Sequence, residues 1–307
     1  MNIFILCNAD TLVFPVIKKL LIDNQLAGIG IIKRLDNHLH RNLSEIAPTT
    51  SITVLQKSTW VDSMHSVLTQ LKADVVWVLT FPWKIPIQLL EVPRYGFINF
   101  HFGLLPKYKG ADPVFWQIKN GEPLGGLTIH KMNEYIDEGP VILQEQLPIA
   151  PGENYGFHCL KLGQLAANST DRIVEFLISG SGEYLIYDKS VAAREDKPNI
   201  NDLTIHWNDQ AALEIENLIN AANPKYGGAN TMMQNTDMRI LEVTPVNMDY
   251  SQDFRPGQII LEDATYGVIV GCVDKEFLRI TVAQTAEGYM SGVKLFNLGF
   301  TRGFTFS

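Results

Sequence analysis

The residues best placed for chemistry lie in one short stretch, residues 98–106, where Asn99 and His101 stand two positions apart at the end of an apolar run. Alternate side chains of a strand point to the same face, so an amide and an imidazole can meet at one spot. The Gly-Leu-Leu-Pro that follows must leave the strand, because proline cannot donate to a ladder and glycine permits a sharp bend. Asp137, which precedes a Gly-Pro turn, can complete the set. Polar side chains at the exit of a buried parallel strand are where open α/β sheets place their chemistry.

Alternating strands and helices must position these residues. Apolar runs predict strands at residues 2–7, 29–32, 75–79, 97–101, 127–131 and 141–148. Capping residues and helical spacing predict helices at about 10–21, opened by Asp10 or Thr11, from Ser58 or Thr59 onward, at 112–120 and at 154–179. The repetition predicts an α/β fold with a doubly wound, mostly parallel sheet. No G-x-G-x-x-G follows the first strand, which argues against a dinucleotide cofactor.

The second part of the chain has a different pattern. A polar, irregular stretch over residues 187–201 indicates a linker. One predicted helix, at about 209–222, then precedes short strands separated by glycine and proline turns, which is typical of a small β-barrel. We therefore predict a first domain over residues 1–186, a linker over 187–204 and a C-terminal OB-like barrel over 205–307.

Composition narrows the class of protein. The 307 residues carry a net charge of −8, which argues against a broad nucleic-acid surface. Three dispersed cysteines fit a reducing cytosol better than a disulfide framework, and no segment approaches a transmembrane length, so we expect a cytoplasmic protein without membrane contact. Asp36, His38 and His40 lack a second ligand cluster, so we expect a solvated loop there and no metal.

The stretch from Asn99 to Ala111 resembles the signature of the 10-formyltetrahydrofolate-dependent formyltransferases, usually Asn-x-His-x-Ser-Leu-Leu-Pro, a basic or aromatic pair, and Gly. The spacing to Asp137-x-Gly-Pro agrees with that family, as does the Gly-Leu-Thr-Ile-His at residues 126–130. Residues 203–207, 222–224 and 256–259 resemble the C-terminal barrel of methionyl-tRNA formyltransferases more weakly. The resemblance thus covers nearly the whole chain, and it implies a formyltransferase-type Rossmann-like fold followed by the barrel.

The resemblance implies an enzyme that moves a formyl group from 10-formyltetrahydrofolate to an amine, with no metal. Asn99 would donate a hydrogen bond to the oxyanion of the tetrahedral intermediate, worth roughly 10²–10³-fold in rate. His101 would take the proton of the attacking amine or polarise the carbonyl. Asp137 would orient the imidazole ring and stabilise its cationic form. His130, beside the site in sequence, is expected to be a strand residue without a catalytic role.

The family's folate lies against the strand ends, where this chain offers two segments. The residues expected to bind the folate are Phe81, Trp83, Ile85, Leu104, Leu105 and Pro106. Phe81 and Trp83 could equally be core packing. The residues expected near the acceptor are Lys107, Tyr108, Gly110 and Asp112. Asp112 could attract a cationic amine, although capping a helix explains it equally well.

Two departures from the family pattern bear on the acceptor. Gly103 stands where the family usually has serine, which removes a hydroxyl near the catalytic pair. Residues 33–41 lack the basic Gly-Arg-Gly-Lys-Lys loop that methionyl-tRNA formyltransferases carry, and phosphate neutralisation dominates nucleic-acid affinity. We therefore expect a small-molecule or carrier-bound amine, such as a nucleotide-linked amino sugar. Methionyl-tRNA formylation, 10-formyltetrahydrofolate hydrolysis and non-catalytic folate binding remain alternatives, and apolar surface on the barrel leaves a homodimer or a second ligand open.

Overall fold

The computed structural model describes residues 1–9, 11–36, 38–185 and 194–307. They form two compact units that alternate along the chain. Unit 1 comprises Met1–Pro113, Leu124–Pro148 and Cys159–Glu195, and unit 2 comprises Val114–Pro123, Ile149–His158 and Asp196–Ser307. The predicted domain bounds at residues 186 and 205 stay a prediction, and residues 187–193 of the predicted linker lie outside the described residues.

Unit 1 is built on a seven-stranded sheet. The described strands of unit 1, including two outside that sheet, are β1 (Ile3–Cys7), β2 (Leu26–Ile32), β3 (Ile52–Leu55), β4 (Val75–Leu79), β5 (Phe97–His101), β6 (Lys109–Gly110), β7 (Leu124–Lys131), β8 (Val141–Pro148) and β9 (Arg194–Glu195). The large sheet has the order β3-β2-β1-β4-β5-β7-β8, and β6 pairs separately with β9. The pairs from β3 to β5 are parallel, whereas β7 pairs antiparallel with both β5 and β8. The predicted mostly parallel, doubly wound α/β fold is confirmed.

The strand order reverses between β1 and β4, so the crevice at the carboxyl ends of the central strands is where a ligand is expected. Every residue of β1 and of β4 is buried, as their uninterrupted apolar runs predict for strands covered on both faces. Residues beyond β4 and β5 therefore emerge at one edge of a rigid core. Asn99 and His101 are the last polar positions before the chain leaves β5.

The described helices are α1 (Phe14–Ile22), α2 (His38–Ile46), α3 (Trp60–Gln70), α4 (Ile87–Leu90), α5 (Pro113–Lys119), α6 (Tyr155–Asn168), α7 (Thr170–Ser179), α8 (Ala212–Ala222) and α9 (Gly292–Asn297). Helices α2, α4 and α9 were not predicted. The solvated loop expected around His38 and His40 was wrong, because both residues lie in α2, which buries Leu39 and Leu43 at helical spacing. The N-cap of α1 is Val13, so capping by Thr11 was wrong, and Asp10 lies outside the described residues.

The prediction of one long helix over residues 154–179 was also wrong, because α6 and α7 are separate helices. Between them Ser169 turns its hydroxyl back to the carbonyl oxygen of Leu165, at 2.9 Å. Such back-bonding by serine competes with the regular backbone ladder and often bends a helix. The predicted end at Gly180 is right, since Gly180 adopts the left-handed conformation that closes α7.

Unit 2 contains an antiparallel sheet. Its strands are β10 (Ala229–Met233), β11 (Thr236–Pro245), β12 (Ile259–Asp263), β13 (Gly267–Gly271), β14 (Phe277–Thr285) and β15 (Gly288–Ser291). They follow the order β10-β11-β14-β13-β12, with β15 added to β14. The last residues bridge both outer strands, because Met232 and Ser307 exchange backbone hydrogen bonds and Ile259 donates to the carbonyl of Phe304. This bridge joins the two edges of the sheet, as the predicted barrel requires.

Two further observations bear on the class of protein. Within the described ranges, no helix combines the length and the apolar character needed to cross a bilayer. The thiols of Cys7 and Cys272 are buried, and burial raises the pKa of each to about 12. Both thiols therefore stay protonated at neutral pH and act as core side chains.

Candidate active site

The candidate site begins with a four-residue polar set on two neighbouring strands. In the antiparallel register of β5 and β7, Asn99 lies opposite His130 and His101 lies opposite Thr128. Directly opposed residues point to the same face of a sheet, so the four side chains form one polar patch on an otherwise apolar surface. His101, Thr128 and His130 are buried, whereas Asn99 is half-buried.

Asp137 reaches this patch because the loop after β7 folds back tightly. A β-carbon placed on Gly139 would lie 1.6 Å from the carbonyl oxygen of Lys131, so only glycine allows this approach. The backbone of Asp137 is left-handed, with φ of 53°, a conformation that aspartate tolerates better than most residues. The Asp-x-Gly-Pro motif thus has a geometric reason: its glycine lets the carboxylate descend onto the sheet.

The three predicted catalytic residues come together. The Nδ1 atom of His101 lies 3.6 Å from Oδ2 of Asp137. Asn99 donates from Nδ2 to Oδ1 of Asp137 at 3.2 Å, and the backbone amide of Gly110 donates to Oδ2 at 2.9 Å. One carboxylate therefore connects a side chain of β5, an imidazole and the loop that follows.

Burial and direct contacts act in opposite directions on the pKa values of His101 and Asp137. Burial lowers the pKa of His101, opposed by the charge of Asp137 and the Tyr108 hydrogen bond and reinforced by His130. Burial alone would raise the pKa of Asp137, but the charge of His101, the contacts with His130 and the amide of Gly110 together hold that pKa well below its ordinary value. Asp137 is therefore a carboxylate at neutral pH.

A backbone carbonyl selects the tautomer of His101. Its Nε2 atom lies 2.9 Å from the carbonyl oxygen of Tyr108, and because a carbonyl oxygen only accepts, Nε2 must carry the proton. Tyr108 holds that carbonyl in place with a left-handed backbone, φ 55°, which is costly for an aromatic residue. In its neutral form His101 is thus an Nε2–H donor.

The bend after His101 is held by Thr128. The Thr128 hydroxyl donates to the carbonyl of Gly103 at 2.6 Å and accepts from the amide of Leu105 at 3.1 Å. Gln144 of β8 donates both to this hydroxyl and to the carbonyl of Leu105. The Gly-Leu-Leu segment is thereby fixed to the sheet instead of continuing β5.

Gly103 sits where a side chain would collide with the site. A β-carbon there would lie 2.8 Å from Cβ of Pro113 and 2.9 Å from Nε2 of His101. Both distances are shorter than van der Waals contact. A serine at this position would therefore require a different placement of the imidazole or of Pro113, so the glycine is matched to the observed position of His101.

The residues expected to bind folate divide into exposed and buried groups. Phe81 and Trp83 are half-buried and pack with Trp60, with ring centroids 5.4–5.6 Å apart. Leu104 and Pro106 are also half-buried, whereas Ile85 and Leu105 are buried. Four of the six side chains are therefore partly exposed, although Phe81 and Trp83 also pack against the core cluster that contains Ile85. Their role stays a prediction.

The residues expected near the acceptor serve several local purposes. Lys107 is exposed, Tyr108 is buried with its carbonyl on His101, and Gly110 gives its amide to Asp137. Asp112 is half-buried, immediately before α5, with a left-handed backbone. Next to them Lys109 forms an ion pair with Glu138, which sequence reasoning had not singled out.

His130, which was expected to be a strand residue without a catalytic role, lies within this cluster. Its Nε2 atom lies 3.1 Å from Nδ2 of Asn99 and 3.5 Å from Oδ1 of Asp137. The signal was a second polar alternation, Thr128-x-His130, which repeats the Asn99-x-His101 pattern within an apolar run. Only the register of β5 and β7 shows that the two alternations share a face.

Among the described residues, no group of three or more His, Cys, Asp or Glu side chains could hold a metal ion. A cavity of about 260 Å³ lies at the carboxyl ends of β1 and β2, and its walls come from Asn8, Ala9, Arg34, Asp36, His38 and Leu39. None of the predicted site residues lines it, and the neighbouring Asn37 lies outside the described residues.

Comparison with known families gives two matches. Residues 32–157 match the family described as formyl transferase, and residues 199–301 match the formyl transferase C-terminal domain.

Curated relatives extend the likeness. A methionyl-tRNA formyltransferase of Legionella pneumophila (strain Corby) is 29% identical over 211 residues, which cover 69% of this chain and 66% of that protein. A methionyl-tRNA formyltransferase of Pseudomonas putida (strain F1) is 30% identical over 231 residues, covering 75% of this chain and 72% of that protein. The matched part thus spans about two thirds of the first relatives.

Solved structures share the fold. HypX from Aquifex aeolicus, solved with tetrahydrofolic acid, matches with a TM-score of 0.64 and 15% identity, over 97% of this chain but only 47% of HypX. WlaRD, a sugar 3N-formyl transferase solved with dTDP and 5-N-formyl-THF, matches with a TM-score of 0.67 and 18% identity, over 93% of this chain and 98% of WlaRD. At these identities the likeness concerns the fold alone.

Proposed function

Because the chain belongs to the formyl transferase family, we propose that it transfers a formyl group from 10-formyltetrahydrofolate to the primary amine of a small-molecule or carrier-bound acceptor. The observation that carries the proposal is the convergence of Asn99, His101 and Asp137 at the carboxyl end of β5. An amide donor, a buried imidazole and a carboxylate around one point are what acyl transfer to an amine needs.

The reaction requires one bond to form, one to break and one proton to move. The amine nitrogen attacks the formyl carbon, and the carbonyl electron pair moves onto oxygen. When the tetrahedral intermediate collapses, the bond from carbon to N10 breaks and its electrons return to N10, which gains the proton that the amine loses. Because Nε2 of neutral His101 already carries a proton, the nitrogen that can accept one is Nδ1, which lies 3.6 Å from Oδ2 of Asp137. His101 would take the amine proton there and pass it to N10, and Asp137 stabilises the imidazolium that forms on the way.

Asn99 and His101 divide the stabilisation of the oxyanion between them. The Nε2–H of His101 is a donor already, held by the carbonyl of Tyr108 until a better acceptor arrives. Both Nδ2 protons of Asn99 are committed, one to Asp137 and one to His130, so Asn99 serves the oxyanion by exchanging one contact. Donors already held beside the reacting carbonyl lower the barrier, because each only exchanges one acceptor for the oxyanion.

The chain's own residues fit a folate near this point. The loop that follows β4 presents Phe81 and Trp83, and the segment that follows β5 presents Leu104 and Pro106, all half-buried. Because β4 and β5 are neighbours in the sheet, both segments leave it at the same edge. Flat apolar surface beside polar backbone groups suits a pteridine ring. The buried Ile85 and Leu105 would support these residues from below.

The charge distribution favours a non-tRNA acceptor. The chain carries a net charge of −8, and residues 33–41 contain Asp36 among three cationic side chains. One of the three, Arg34, donates to the carbonyl of Asn8. A protein that binds tRNA gains most of its affinity from phosphate neutralisation, which this surface supports poorly. Methionyl-tRNA is the second candidate acceptor, because the named relatives are methionyl-tRNA formyltransferases.

A parallel acceptor assay tests the proposal. Purified protein is given 10-formyltetrahydrofolate with a nucleotide-linked amino sugar, an aminoacyl carrier or methionyl-tRNA, and the released tetrahydrofolate and the formylated product are measured. We expect turnover with one of the first two acceptors and a loss of roughly 10²–10³-fold in Asn99→Ala. Turnover only with methionyl-tRNA, lost as salt rises, would replace the proposed acceptor.

Two further outcomes would replace the reaction itself. Formate release without any acceptor would indicate a hydrolase. Folate binding without turnover, unchanged in His101→Ala, would indicate a binding module. A cytoplasmic location and a homodimer stay predictions, which fractionation and light scattering of the full chain can check.

A further inference from the structure

His130 is held in one orientation by contacts at both ring nitrogens. Its Nδ1 atom lies 3.2 Å from the carbonyl oxygen of Lys131, and its Nε2 atom lies 3.1 Å from Nδ2 of Asn99. The ring is 1% exposed, so water does not compete for these contacts. A fully buried imidazole with two polar contacts is fixed in rotation as well as in position.

The chemistry of the partners decides which nitrogen carries the proton. The Lys131 carbonyl can only accept, so Nδ1 of His130 must donate to it. In the neutral ring Nε2 is then an acceptor, and it receives one of the two Nδ2 protons of Asn99 at 3.1 Å. Oδ1 of Asp137, 3.5 Å from the same Nε2 atom, accepts from His130 only when the ring is protonated. The other Nδ2 proton goes to Asp137.

This arrangement fixes the orientation of the Asn99 amide. If the amide were turned over, its oxygen would face an Asp137 carboxylate oxygen at 3.2 Å and the lone pair of His130 at 3.1 Å. Both contacts would then be repulsive. His130 and Asp137 therefore act together to keep Nδ2 of Asn99, and not its oxygen, directed into the polar cluster.

We propose that His130 is a positioning residue for formyl transfer. It orients the Asn99 amide, and its Nε2 atom accepts one Nδ2 hydrogen bond of Asn99 until the oxyanion accepts that hydrogen bond instead. The inference rests on the proposed function. Without the imidazole, only Asp137 opposes the turned amide, so a larger share of the protein would present the Asn99 oxygen, which repels the oxyanion. His130 itself touches no reacting atom.

Two substitutions separate orientation from packing. His130→Phe keeps a buried ring but removes the acceptor, and His130→Gln supplies an amide oxygen that can accept from Asn99. We expect His130→Phe to lower kcat by about 10–100-fold with little change in KM for the folate. His130→Gln should recover most of that loss. Ile129→Val, next to it on β7 with its side chain on the opposite face, serves as the control for small packing changes and should keep kcat.

A readout independent of activity keeps the inference testable if a variant folds poorly. In nitrogen-15 spectra of the full-length wild-type protein, the His130 ring should carry its proton on Nδ1, and the Asn99 amide signals should shift in His130→Gln. A wild-type protein with the proton on Nε2 would overturn the inference. So would a folded His130→Phe with wild-type kcat, while formyl transfer by the wild type would still support the proposed function. If the wild type transfers no formyl group, the function fails and the spectra alone judge the geometry.

Discussion

Among the described residues, the buried His101 and His158 face different carboxylates, and these two pairs differ in how they are held. In unit 2, Nδ1 of His158 lies 2.7 Å from Oε1 of Glu153, whose other oxygen accepts from the amide of Ala150. In unit 1, Nδ1 of His101 lies 3.6 Å from Oδ2 of Asp137, and that carboxylate also accepts from Asn99 and Gly110. His158 and Glu153 thus form a short hydrogen bond, whereas His101 and Asp137 form a longer contact within a larger hydrogen-bond network.

The difference shows that a buried histidine beside a carboxylate is not itself a sign of catalysis. A short, fully buried hydrogen bond between an imidazole and a carboxylate suits a structural role, since breaking it leaves a buried polar group unsatisfied. The longer contact at His101 leaves the imidazole room to gain and lose a proton while Asp137 stays in place. The catalytic reading therefore depends on what else the carboxylate binds.

The same substitution in both pairs gives the largest contrast. His101→Gln removes the group that carries the proton, so the formyl-transfer rate should fall by roughly 10²–10⁴-fold. The measurement is the initial rate of tetrahydrofolate release at saturating acceptor. A rate within a few-fold of wild type in a folded protein would remove His101 from the mechanism.

His158→Gln should act on stability instead. The change weakens a buried, charge-assisted hydrogen bond, worth about 1.5–3 kcal/mol of the free energy of unfolding. Urea unfolding measures this loss, and the transfer rate at a temperature well below the transition should stay at the wild-type level. A large loss of rate with no loss of stability would mean that the two pairs have been assigned the wrong way round.

The pH dependence should distinguish the pairs further. Because burial lowers the pKa of His101, the acid limb of kcat/KM should have its midpoint below 6.5. The unfolded chain binds the His101 proton at higher pH than the folded chain, so the free energy of unfolding should also fall as pH drops below 6.5. His101→Gln should remove that part of the fall, as pH-dependent urea unfolding would show. A midpoint above 6.5 would mean that the charge of Asp137 outweighs burial.

The smallest expected effect is at Gly103. In Gly103→Ala the new methyl group meets both His101 and Pro113 at less than 3 Å, so one of them must shift. We expect a loss of about 1–3 kcal/mol in the free energy of unfolding and a few-fold decrease in kcat. Gly180→Ala, at a left-handed turn with open space around its β-carbon position, is the comparison for glycine replacement without crowding. An increase in kcat at position 103 would contradict the proposed match between glycine and imidazole.

Much of unit 1 could be predicted because its strands are uninterrupted apolar runs. The predicted bounds of β4 and β5 agree with the structure, since burial on both faces leaves little ambiguity about where each strand ends. Those of β8 agree too, although only its first half is buried. The start of α1 was harder, because Val13 occupies the N-cap without a side-chain hydrogen bond. The break between α6 and α7 was not predicted, because Ser169 lies in the middle of a helical pattern and gives no sign in the sequence that it interrupts the helix.

Three side-chain members of the candidate site could be predicted from the sequence, whereas its backbone groups could not. Asn99, His101 and Asp137 were found from residue type and spacing, and their contacts agree with that grouping. The carbonyl of Tyr108 and the amide of Gly110 are backbone groups that every residue has, so no sequence pattern indicates them. His130 needed the register between β5 and β7, which depends on contacts distant in sequence.

One backbone amide links the carboxylate to a remote part of the chain. Gly110 donates to Asp137, and the same residue lies in β6, which pairs with β9 and leaves no room for a side chain beside the carbonyl of Glu195. The next residue, Ala111, donates its amide to that carbonyl. A mutation or ligand that displaces Arg194 or Glu195 would thus weaken the hydrogen bond from the Gly110 amide to Asp137. Selections for altered turnover should therefore recover substitutions at Arg194 or Glu195 that leave Asn99, His101 and Asp137 unchanged.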